Sequence, residues 1–160
     1  MLADLLQVIN DDSLSSQGFR NDWQAMMKAD RIIEGYNARY SQNQKDNDKI
    51  VEKVRNTTNI VELSVIWRHN IDKLLGMLQD SIEGLDQIHV LAGGTYVSKK
   101  PQQLFTECSK AFSQGAEKMI SAIRDCLPTL RMLDQHSGRD HTSEYDEELR
   151  KLRENYGKLT

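Results

Sequence analysis

The sequence predicts an all-α antiparallel helical bundle made of long, heptad-patterned, coiled-coil-like helices. Three observations predict it. Only 6% of the 160 residues are aromatic, and two prolines and nine glycines are few chain breakers. A β-sandwich needs more Val, Thr, aromatic and turn residues than this. Leu, Ile, Met, Glu, Gln and Lys, all good helix formers, are plentiful. Finally, apolar residues recur every three and four positions along most of the chain, the signature of one buried helical face.

Residues 1–10 read as a short amphipathic helix, followed by a turn-rich stretch from Asn10 to Gly18. A second helix is expected over 21–42, capped by Asn21 or Asp22. Trp23, Met26, Ile33, Tyr36 and Tyr40 trace its apolar face. The polar run Ser41–Lys49 suggests a break near 43–47, because Asn and Asp side chains compete for backbone hydrogen bonds.

From Ile50 to Ala92 no proline intervenes, and a heptad runs through without a slip. One seam is Val54, Val61, Arg68, Leu75, Ile82 and His89; the other is Ile50, Thr57, Ser64, Ile71, Leu78, Leu85 and Ala92. Ile60, Trp67, Leu74 and Ile88 add a flanking column, which widens the face to that of a helix touching two neighbours. Thr57, Ser64 and Arg68 make the centre of the seam polar, and a buried Arg68 requires a carboxylate partner. His89, on the seam, reads as a hydrogen-bonded core histidine. Gly76 and Gly84 either permit close helix approach or are simply tolerated.

Gly93–Gly94 ends this helix, and Pro101 opens the next at its favoured first turn. Phe105, Cys108, Phe112, Ala116, Met119, Ile123, Cys126, Leu130 and Leu133 set its stripe, with a kink expected at Pro128. A loop over 136–143 leads to a charged last helix whose stripe is Tyr145, Leu149, Leu152, Tyr156 and Leu159. The chain thus reads as a single helical domain over 1–160. It comprises an N-terminal segment and loop (1–18), a bundle body (19–134) and a C-terminal charged helix (143–160).

The functional reading is largely one of exclusion. A net charge of −3 lacks the basic face of a nucleic-acid binder. No stretch reaches the roughly 18–20 apolar residues of a membrane span. No secretory signal is read at the N-terminus, and Cys108 and Cys126 lie too far apart on one helix to bridge. These points predict a cytoplasmic protein with reduced thiols, with signal-independent secretion as the other route. The His69/Asp72 and Asp86/His89 pairs share one helix and do not complete a bundle metal site. His136 and His141, with Arg139 and Asp140, read as a solvated loop. No nucleophile–base pair, phosphate loop or zinc motif occurs, so no enzyme, cofactor or metal is expected.

The expected function is a non-enzymatic protein–protein interaction subunit: an adaptor, a chaperone-like protein or a structural component of an assembly. Its partners would be proteins, a second copy included, engaged through amphipathic helices. Trp23, Met26, Trp67, Arg68, Tyr145, Leu149, Leu152 and Tyr156 are the candidate partner-binding residues, since large aromatics and Arg dominate such contacts. The alternatives are a secreted helical effector or secretion-apparatus component of a bacterial pathogen, and a small-ligand or metal-binding bundle.

Overall fold

A computed structural model describes residues 16–138 and 142–160 as four packed α-helices, with no strand among those residues. They are α1 (Ser16–Asn56), α2 (Ile60–Ala92), α3 (Lys100–Ser137) and α4 (Thr142–Leu159). The expected helix over 1–10 and the loop residues Arg139, Asp140 and His141 lie outside the described residues.

The centre of the fold is the antiparallel pair of α2 and α3. Ser64 meets Asp134, Asn70 meets Cys126, and Gly84 lies against Phe112, so one helix climbs as the other descends. Ile71, Leu78, Leu85 and Ile88 of α2 face Phe105, Phe112, Ile123 and Leu130 of α3, all almost fully buried. The seven-residue connector from Gly93 to Lys99 makes this neighbour pairing the short route. Gly93 caps α2, and Pro101 sits at the start of α3. At the far end Gly138, at φ 72°, takes the left-handed conformation that only glycine adopts cheaply. Helix α3 continues through Pro128 rather than stopping there.

α1 runs antiparallel to α2, fastened at three levels. The Asp22 carboxylate accepts the backbone N–H groups of Val97 and Ser98 at 3.0 and 2.8 Å. Tyr36 Oη and Ser81 Oγ share a 2.8 Å bond, and Lys73 pairs with Asp46 at 3.0 Å. Asp22 was expected to cap its own helix; α1 instead begins earlier, and this buried carboxylate ties down the α2–α3 connector.

The Tyr36 ring meets Phe112 edge-on, with centroids 4.9 Å apart. Two glycines make that approach possible. A Cβ on Gly84 would fall within the Phe112 ring, and one on Gly115 would collide with the Tyr36 hydroxyl. Gly84 therefore permits close packing, whereas Gly76 faces open space and is merely tolerated. α4 packs against α2 and α3 and makes no contact with α1.

Two boundaries differ from the sequence reading. The polar run 41–49 does not break the chain, because α1 passes through it intact. Its polar groups are satisfied on the helix surface: Gln42 bonds to Asp46 one turn on, and Lys73 reaches Asp46 from α2. The Lys73 hydrogen bond, first among the causes, draws the Asp46 carboxyl below its ordinary range.

The break falls instead at Thr57–Thr58–Asn59, inside the uninterrupted heptad stretch from Ile50 to Ala92. Asn59 Oδ1 accepts from the backbone of Val61 and Glu62, so its side chain replaces the helical partners of α2's first turn. Seam residues near the two ends of α2 also depart from expectation. Val61 and Ile60 are exposed because the helix has only just begun there, and His89 is exposed rather than a core histidine.

Candidate interaction surface

Arg68 has the carboxylate its seam position demands. Its Nη2 lies 2.8 Å from Asp134 Oδ2, and Ser64 Oγ donates to the other oxygen. Asp134 is fully buried, so the three residues form a closed polar knot between α2 and α3. The polar centre of the seam therefore serves internal pairing.

The C-terminal candidates are likewise engaged within the chain. Leu149 is buried, and Tyr145, Leu152 and Tyr156 are half-buried against the same core. Arg131 holds Asp146 at 2.8 Å, and the Tyr156 hydroxyl donates to Glu117 at 3.3 Å. Burial, reinforced by the negative charge of Asp72, raises the Tyr145 phenol above its ordinary pKa. α4 thus docks in cis, against α2 and α3 of its own chain.

Trp23 and Met26 lie near the start of α1. Met26 is buried, while Trp23 is half-buried. Trp67 is half-buried on α2, and among the described residues neither its indole N–H nor that of Trp23 has a hydrogen-bond partner. A buried donor left unpaired costs about 1–3 kcal/mol.

The eight candidates thus divide among separate places. Arg68 and Tyr145 approach one another near Asp72, and Leu149, Leu152 and Tyr156 continue along α4. Trp67, next to Arg68 in sequence, packs against the core, and Trp23 and Met26 sit on another helix and are not part of that group.

Exposed large apolar side chains among the described residues fall at both ends of α2: Val90 and Val97 lie by the α2–α3 connector, and a larger group lies by the α1–α2 break. Val51, Ile60, Val61 and Val65 surround the α1–α2 break, and Val65 keeps 61% of its surface in solvent. Val61 and Val65 are four apart and share a helix face. Met132 of α3 is exposed at the same end, close in sequence to Asp134, which reaches Ser64. Isolated exposed hydrophobics are ordinary; here several are gathered at one end of a helix pair. The sequence signal was present in Ile60, Trp67 and Val61, although it was assigned to the interior; Val51 and Val65 fell off both seams and gave none.

The described residues contain no group of three or more His, Cys, Asp and Glu side chains placed to hold a metal ion. His69, Asp72, Asp86 and His89 are all exposed. Among the described residues no helix is long and apolar enough to cross a membrane. Cys108 and Cys126 are free thiols, both raised in pKa chiefly by burial.

Among the described residues the fold is an all-α bundle of four helices, with exposed valines at both ends of α2. No protein-family model, curated protein or solved structure matches the chain.

Proposed function

We propose that the protein is a non-enzymatic interaction subunit that docks a partner protein on the apolar end of the α1–α2 hairpin. The observation that carries this reading is the concentration of exposed Val51, Ile60, Val61 and Val65 around the break. Val61 and Val65, four apart on one helix face, with Ile60 and Val51 beside the break, supply apolar area from which a covering chain would exclude water.

An amphipathic helix is the matching partner element, laying its apolar stripe along Val61 and Val65 as an added, coiled-coil-like strand of the bundle. A second copy of the chain qualifies, since each copy carries the same end. Two free thiols held protonated by burial suit a reducing compartment, and the proposed setting is the cytoplasm.

The test is a paired affinity purification from the native host, with light scattering of the purified chain alongside. Val61→Lys with Val65→Lys places charge on the surface without touching the core. The wild type should retain a stoichiometric partner, or form a dimer, that the double variant loses while keeping its helical circular dichroism. An identical partner set and mass for both proteins would sink the reading.

A further inference from the structure

The inward rows of α2 are spent inside the molecule, and one outward row is left open. His69, Gly76, Glu83 and Val90 recur every seven residues, and Val61 and Val65 extend the row toward the start of the helix. Such spacing keeps them on one helix face, and all six are exposed. The neighbours of α2 explain why this face stays bare. Lys73 and Asp80 reach Asp46 and Arg39 of α1 on one flank, and Arg68 lies beside Tyr145 of α4 on the other. α1 and α4 do not touch, so the face lies in the gap between them.

The row is apolar at both ends and bare in the middle. Val90 keeps 72% of its surface in solvent. At the midpoint, a Cβ on Gly76 would have nothing within 4 Å. His69 stands seven residues before Gly76 and Glu83 seven after it; Val61 stands fifteen before and Val90 fourteen after. A surface patterned this way about one point is complementary to itself turned end for end, which is what a two-fold interface requires.

Charge selects the orientation. Laid parallel, two such rows would set Glu83 against Glu83, with Asp72 and Asp86 likewise against their own counterparts, and like charges brought together are costly. Laid antiparallel with Gly76 at the crossing, a His69 ring N–H of each copy meets the Glu83 carboxylate of the other. Val61 then covers Val90 at both ends. The missing Cβ lets the two backbones approach at the axis, as Gly84 does for the Phe112 ring inside the chain.

We infer that α2 pairs antiparallel with α2 of a second copy, through the face from Val61 to Val90 and about a two-fold axis at Gly76. The inference rests on the reading of the protein as an interaction subunit and names its partner. The contact is narrow and polar between its apolar ends, so the dimer is a weak one that forms in the micromolar range.

Sedimentation equilibrium of the full chain tests it. The mass should climb from monomer toward dimer as concentration rises through the micromolar range. Val90→Lys, at the end of α2 away from the α1–α2 break, should hold the protein monomeric with its helical circular dichroism intact. Glu83→Lys should weaken dimerisation about fivefold, since two symmetry-related pairs are lost together. Adding His69→Glu should restore it, because the swapped charges meet only across the two-fold; within one chain they are about four turns apart. Gly76→Cys should oxidise to a covalent dimer, which needs Cα atoms within about 7 Å, faster than Gly157→Cys at an equally exposed position. A mass fixed at the monomer up to hundreds of micromolar overturns the inference. So does a dimer indifferent to Val90→Lys, one that the charge swap fails to restore, or equal oxidation of the two cysteine variants. A monomer that still retains a foreign protein, lost on Val61→Lys with Val65→Lys, refutes the dimer and keeps the interaction subunit; a monomer that retains none refutes both.

Discussion

Arg68 Nη2 stands 2.8 Å from Asp134 Oδ2 across the α2–α3 interface, and that carboxylate is completely buried. Ser64 Oγ holds its second oxygen. Removing one member of a buried ion pair strands the other, which typically costs 3–5 kcal/mol. Arg68 keeps 32% of its side chain in solvent, so water replaces part of what is lost. Arg68→Ala should therefore cost about 3 kcal/mol, at the low end of that range. The double variant Arg68→Met/Asp134→Leu removes both charges and should recover most of the loss. Urea denaturation of the single and double variants measures the coupling; simple additivity would mean that the pair is not coupled.

The two glycines of α2 respond oppositely to the same substitution. Gly76 faces open space, so Gly76→Ala should stabilise the protein by about 0.5–1 kcal/mol through helix propensity alone. At Gly84 the new methyl meets the Phe112 ring, which cannot retreat from a filled core. There the same change should cost about 1–3 kcal/mol from overpacking. Thermal melts of the two variants should shift in opposite directions.

Alkaline pH should unfold the protein well before the helices lose intrinsic stability. Burial raises the pKa values of Cys108, Cys126, Tyr36, Tyr96, Tyr145 and Tyr156. In the unfolded chain thiols ionise near pH ~8.5 and phenols near ~10. The folded state therefore holds protons that the unfolded state has released, and stability falls as pH rises. This contribution is complete below about pH 8 and is lost progressively above it, most steeply where the phenols ionise. Denaturation midpoints at neutral pH, pH 9 and pH 10.5 should fall in that order. The tyrosinate absorbance should lag behind that of the unfolded chain.

Much of this architecture is legible in the sequence, and what is not has a physical reason. The stripe from Phe105 to Leu130 is buried as its spacing implies, and Gly93 and Pro101 mark their boundaries. The break at Thr57–Asn59 is hidden because apolar spacing resumes in phase on its far side; only the side-chain bonds of Asn59 distinguish a cap from a seam position. The converse error at 43–47 arises because Asn and Asp signal a turn when nothing is known of their neighbours. Here Lys73, on another helix, supplies the partner for Asp46. Arg68 announces the need for a carboxylate, yet nothing local identifies Asp134, sixty-six residues away. The exposure of Val61 and Val65 depends on where α2 begins, and the periodicity does not show that.

α1 and α4 each bury a face against the central pair, and neither touches the other. Opening of one flank therefore need not propagate to the other. Release of α4 would expose the seat of Leu149 while leaving the Tyr36–Ser81 bond and the Tyr36–Phe112 contact on the opposite side in place. Such a molecule has two sub-global opening modes around a persistent middle, and amide exchange would resolve them as separate cooperative units. α4, with 18 residues and only Thr142 and Leu149 fully buried, is the unit that opens at lower free energy.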